Sequence, residues 1–170
     1  MASPHASSVI PMRICTNYLT TSVPLRYVCY PSNSIATVLR PAGLEKSKGL
    51  ISSAALKDPS DRRWKDDPGY KEWEAFAAKY MSPADLTDVN AIAGWGIAKM
   101  LVQVLQQCGD DLSRESIVRR ATNLKDFVTP MLLPGIKINT SPDNYFPIRQ
   151  LQLVRFNGVN WELFGDLMTD

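Results

Sequence analysis

Lys48-Gly49-Leu50-Ile51-Ser52-Ser53-Ala54-Ala55-Leu56 is the stretch whose reading decides the fold. It is short, apolar or small throughout, and bounded by Gly49 on one side and a charged loop on the other. A run of this length between breakers fits a buried strand of an α/β protein, because a buried helix would need a longer segment. Upstream, Leu25 to Tyr30 is rich in aromatic and β-branched residues and reads as another short strand. Between the two, Ser32-Asn33-Ser34 opens a helix carrying Ile35, Val38 and Leu39 at helical spacing. Pro41 ends that helix, or breaks it before a further turn through Gly43.

Helices follow downstream. Asp67-Pro68 is a strong start, with Asp as N-cap and Pro at the first helical position, and Tyr70, Trp73, Ala77 and Tyr80 then form one apolar stripe. The longest helix runs over about Val89 to Cys108, with Ile92, Leu101, Val104 and Leu105 as core residues and Gly109 just past its end. Ser113 caps a third helix bearing Ile117, Ala121 and Leu124. Pro130 and Pro134-Gly135 mark turns. Ile136 to Asn139 alternates as a short strand, and Gln150–Phe156 and Trp161–Phe164 flank Asn157-Gly158 as a hairpin. The order of strand, helix, strand, helices, then strands predicts α/β with an antiparallel tail.

The 170 residues suit one domain of ordinary composition, with 45% hydrophobic and 21% charged residues. A net charge of +2 gives no basic footprint for nucleic acid. A single histidine, His5, argues against a His-based metal site or a Ser–His–Asp triad. Cys15, Cys29 and Cys108 are odd in number with no paired spacing, so neither a zinc site nor a disulfide framework is encoded, and no cofactor is expected. Residues 1–23 have weak periodicity. The start of the chain shows neither the charged residues nor the apolar run of a signal peptide, and no stretch reaches a membrane span of about 18 apolar residues. Taken as it stands, the sequence reads as cytoplasmic.

Three features could carry chemistry. The loop with Asp58, Asp61, Asp66 and Asp67 is interleaved with Lys57, Arg62, Arg63 and Lys65, and reads as solvated and self-paired rather than as a calcium site. Gly94 and Gly96, inside a helical pattern, cost about 1 kcal/mol each relative to alanine, which suggests close packing of another backbone or a ligand near the helix start. Trp73 and Tyr80 read as core. Trp95, in the first turns of the long helix, is a candidate pocket wall, beside amides able to meet an anion.

The stretches Leu39–Glu45, Lys48–Ala54, Leu56–Asp61, Trp64–Gly69, Leu101–Leu105, Gln107–Leu112 and Met131–Thr140 together resemble the C-terminal part of a branched-chain amino-acid ABC transporter substrate-binding protein. That family is the type I periplasmic binding proteins, leucine-binding-protein-like. The resemblance covers about Pro24 to Gly165. It implies a partial type I fold of three-layer α/β/α elements with an antiparallel hairpin near the C-terminus. Residues 1–23 are then an unmatched segment, and 24–170 a partial leucine-binding-protein-like domain without most of the first lobe.

The implied activity is binding without catalysis. A two-lobed receptor closes on a small ligand (an amino acid or an aromatic or organic acid) and signals permease subunits in the periplasm. The ligand-binding positions implied are Cys29, Tyr30 and Ser32, Ala55 and Leu56 after the second strand, and Trp95. Amino-acid binders place an ammonium-pairing Glu near Cys29, and none stands there. A buried ammonium without a counter-charge costs several kcal/mol, so an α-amino acid is a poor expected ligand. The length itself suggests a truncated gene, its signal lost. The alternative is an interaction module derived from a half-receptor, binding through surface meant for the absent lobe. A small hydrolase lacks a usable base.

Overall fold

A computed structural model describes residues 34–169. The expected strand Leu25–Tyr30 and residues Cys29, Tyr30 and Ser32 lie outside them. Three strands, β1 (Ile51–Ala54), β2 (Gln150–Phe156) and β3 (Trp161–Thr169), form one sheet in the order β1-β2-β3, antiparallel throughout. Three longer helices, α1 (Pro68–Tyr80), α2 (Val89–Cys108) and α3 (Arg114–Ala121), fill the connection between β1 and β2.

The helix starts follow local chemistry. Asp67, Asp88 and Ser113 accept hydrogen bonds from the backbone N–H groups of Tyr70, Asn90 and Ser116, so each satisfies a donor that the first turn leaves free. Gly109 closes α2 at φ +59°, a conformation that disfavours a side chain. Near the described N-terminus, Ser34 caps a helical turn over Ile35–Leu39. A short piece containing Pro41 follows, then Gly43 at φ +100° and a last turn over Leu44–Ser47. Pro41 thus breaks the helix without ending the helical path.

The hairpin is longer than expected, since β3 continues to Thr169. Asn157 organises its tip: its Oδ1 accepts from the N–H groups of Val159 and Asn160. The pairing shifts between Leu151 and Leu153, where β3 carries a bulge at Gly165. Gln152 Nε2 donates to the carbonyls of Phe164 (2.6 Å) and Gly165 (3.1 Å), satisfying the oxygens the bulge exposes.

Register fixes the faces. Ser52 opposes Val154, which opposes Leu163, and Phe156 opposes Trp161. With alternate residues sharing a face, Ala54, Val154, Phe156, Trp161 and Leu163 lie on one side. The main core joins that side to Ile35 and Leu39, to Val104 and Cys108 of α2, and to Leu124, Leu132, Leu133, Ile136 and Ile138. A second cluster between α1 and α2 holds Trp73, Ala77, Ile92, Trp95 and Met131.

Four expectations are corrected. Tyr80 and Leu101 are exposed, because the burying stripes of α1 and α2 centre on Trp73 and Ala77 and on Ile92, Trp95, Val104 and Cys108. Ile136–Asn139 is not a strand: only Ile138 makes bridges, to Phe127 and Ile148. Gly94 has open space where a Cβ would stand, and a Cβ on Gly96 would meet only Thr129 Oγ1 at 3.6 Å, so neither marks a close approach. The close approach is at Gly69, where a Cβ would overlap the Pro130 carbonyl.

Candidate ligand-binding site

The chain leaving β1 is held against the Pro130–Leu133 segment. Ala55 O accepts from Leu133 N–H (2.8 Å), and Lys57 N–H donates to Met131 O (2.9 Å). Ala55 is buried in the core, while Leu56, half-buried, touches both hydrophobic clusters. The acidic loop that follows is the fifth correction. It is self-paired but only partly solvated: Lys57, Asp58 and Asp61 are buried, while Arg62, Lys65 and Asp66 are exposed.

Lys57 is only 6% exposed, and its Nζ donates to Asp67 Oδ1 (2.7 Å) and Pro130 O (3.0 Å). Asp67 therefore caps α1 and pairs with Lys57 through the same oxygen. Burial pushes its carboxyl upward, but the Lys57 hydrogen bond, the Tyr70 amide and the Lys57 charge outweigh that, and it titrates below the ordinary range. Asp61 is fully buried and takes Arg63 in a fork: Nε at 2.9 Å and one terminal nitrogen at 2.8 Å, both on Oδ2. Lys57 and Arg63 each stand 5.4 Å from the Trp64 ring centre, in cation–π range.

Asp58 shows the opposite balance. Its carboxylate accepts from the N–H of Ile35 and from the N–H and hydroxyl of Ser60. Burial dominates over those bonds, with Asp61 adding repulsion, and its carboxyl titrates above the ordinary range.

Leu56, Asp58, Asp61, Arg63 and Trp64 line one side of a groove whose other side is the sheet face around Trp161. The space of about 20 Å³ suits one water rather than a whole organic ligand. Both carboxylates spend their acceptors on protein donors, and Arg63 is taken up by Asp61. The described residues of the groove thus offer apolar and aromatic walls and no free charge. It has no nucleophile paired with a base, and among the described residues no group of His, Cys, Asp and Glu could hold a metal.

Of the residues implicated from sequence, Ala55 and Leu56 do stand at the end of β1, and Leu56 lines the groove. Trp95 lies elsewhere, packed on Trp73 (5.5 Å between ring centres) and Phe76 (5.8 Å) in the second cluster. The sequence reading missed Asp58, Asp61, Arg63, Trp64 and Trp161 as groove residues. The one local signal was Asp58-Pro59-Ser60, a turn sequence in which the carboxylate caps its own loop.

No protein-family model and no curated protein sequence matches the chain. Solved structures do match in shape. A possible leucine/isoleucine/valine-binding protein from Rhodopirellula baltica SH 1 superposes with TM-score 0.65 at 14% identity, over 89% of this chain and 40% of that one. A branched chain amino acid ABC transporter from Thermus thermophilus with bound valine gives 0.63 at 15%, over 78% and 36%. An ABC transporter substrate binding protein from Aeropyrum pernix gives 0.58 at 13%, over 77% and 34%. The chain spans two-fifths or less of each of these proteins. Substrate-binding proteins of ABC transporters are thus its structural neighbours, and residues 34–169 carry part of the type I periplasmic-binding-protein fold.

Proposed function

We propose that this chain serves as a substrate-binding component of an ABC transporter, or as part of one, for branched-chain amino acids or related small organic ligands. It would bind without catalysis and work with permease subunits in the periplasm. Residues 24–170 would form the partial binding-protein domain, and 1–23 a separate leading segment. The supporting observation is the fold shared with ligand-binding proteins, on which the groove at the end of β1, its described part no larger than one water, would form one wall of the site. Its Leu56, Trp64 and Trp161 walls suit the apolar side of a ligand. Cys29, Tyr30 and Ser32 would join Ala55 and Leu56 in lining the rest of the site.

Among the described groove residues Asp58 and Asp61 both spend their acceptors on protein donors, which favours ligands without an ammonium group. Isothermal titration of leucine, isoleucine, valine and aromatic carboxylic acids tests this. Binding of an aromatic or branched organic acid in preference to the amino acids is expected. No heat with any of them overturns independent binding by this chain.

A second reading, an interaction module, is favoured by the exposed Ile97, Leu101 and Val102 on α2. Size-exclusion chromatography separates the two: a clean monomer that binds no hydrophobic dye removes this reading.

A further inference from the structure

A second depression, of about 360 Å³, opens on another part of the surface and shares no lining residue with the Leu56 groove. Asp126, Lys137, Asn139, Arg149 and Gln150 line it, with Gly135 leaving room at φ +85°. Its size is in the range of small-molecule sites. Its polar chemistry is lopsided. Asn139 Oδ1 accepts from the backbone N–H of Asp126 (2.9 Å), and Gln150 Oε1 accepts from the backbone N–H of Lys137 (2.8 Å). With each oxygen committed, the NH₂ groups of the two lining amides make no hydrogen bond among the described residues and remain as donors.

Arg149 is exposed and makes no ion pair among the described residues. Lys137 Nζ lies 3.2 Å from Asp126 Oδ1. Among the described lining residues, two cations and two amide groups therefore stand with one carboxylate, a net charge of +1. Asp126 stands at φ +48°, the one described non-glycine residue with positive φ, held there by Asn139 and by Lys137.

We infer that this depression binds a small ligand through an oxyanion, a carboxylate or a phosphate, at a site separate from the groove at the end of β1. Arg149 supplies a planar fork that matches two oxygens, Lys137 a point charge, and the two amides orient the group. Asp126 competes with the ligand for Lys137 and holds the affinity down. The assignment does not depend on the transport reading.

The test is a titration of the full chain with succinate and, separately, with inorganic phosphate, followed by NMR at the Asn139 and Gln150 side-chain amides. Saturable shifts at those amides are expected with at least one probe, and the probe that binds identifies the source of the oxyanion. Replacing Arg149→Gln and Lys137→Gln together should weaken binding about tenfold or more. Asp126→Asn, which keeps a residue tolerant of positive φ, should tighten it several-fold. Lys48→Gln, a charge change elsewhere on the surface, should leave it as it was. Unsaturable shifts spread over the surface lysines, an unchanged affinity in the Arg149 and Lys137 double variant, or a loss as large in Lys48→Gln would each overturn the site.

Discussion

Asp58 holds the backbone of Ile35: the N–H of Ile35 donates to Asp58 Oδ2 at 2.8 Å across 23 residues of sequence, inside the core. A carboxylate in the loop after β1 thereby fastens the helical turn that precedes the strand. Asp58→Ala should destabilise the fold by about 2 kcal/mol, because it leaves a buried donor without a partner. Asp58→Asn keeps an acceptor and should lose less. Urea unfolding of the two variants measures the difference, and equal losses would rule out the fastening role.

The pH dependence follows from two carboxyls pulling in opposite directions. Asp58 titrates above its ordinary value of 3.8 in the folded protein, so between those two values the folded state holds more protons than the unfolded one. Its contribution therefore falls as pH rises through that window. Asp67 titrates below 3.8, so its contribution is present above that value and lost as pH falls through the folded value. Asp67→Asn should reduce the loss of stability in acid, and Asp58→Asn should remove the decline on the other side. Thermal melts from about pH 2 to about pH 7 distinguish the two slopes.

Lys57→Met removes the partner of Asp67 and the donor to Pro130 O. A cost of about 2 kcal/mol is expected, less than for a fully buried pair because Asp67 keeps access to water and to the Tyr70 amide. Repeating the acid melts on this variant should show the Asp67 transition moved toward the ordinary carboxyl range.

Glycines on α1 and α2 should respond in opposite ways. Gly69→Ala drives a methyl group into the Pro130 carbonyl and should cost about 3 kcal/mol or more. Gly94→Ala meets open space and should stabilise by up to about 1 kcal/mol. Paired chemical denaturation checks both signs.

What was legible in the sequence was local. Asp67, Asp88 and Ser113 act within three residues of themselves, so the starts of α1, α2 and α3 could be read without knowing what they pack against. The Asn157-Gly158 turn is local in the same way. Burial was less legible. Tyr80 and Leu101 satisfy the helical period, yet stand where no described residue covers that side of the helix. Gly69 gives no local sign of its role, because the carbonyl it accommodates belongs to Pro130. The loop from Lys57 to Asp67 looked like exposed charge because its composition is that of a surface. The burial of its Lys57 and Asp58 depends on Pro130 and Ile35, which arrive from distant parts of the chain.

The pairing of Ala54 with Gln152 has a kinetic consequence. The two residues are about 100 positions apart, and all three longer helices lie between them. The β2–β3 hairpin closes over a short tip and can form in microseconds. β1 can join it only after a long loop has been closed, at an entropic cost recovered late in folding. Substitutions within the hairpin should therefore act on the folding rate differently from those at the β1–β2 seam. Until β1 docks, the apolar face of Val154, Phe156 and Trp161 is open to solvent and to other chains. The step most exposed to misassembly is thus the arrival of a four-residue strand.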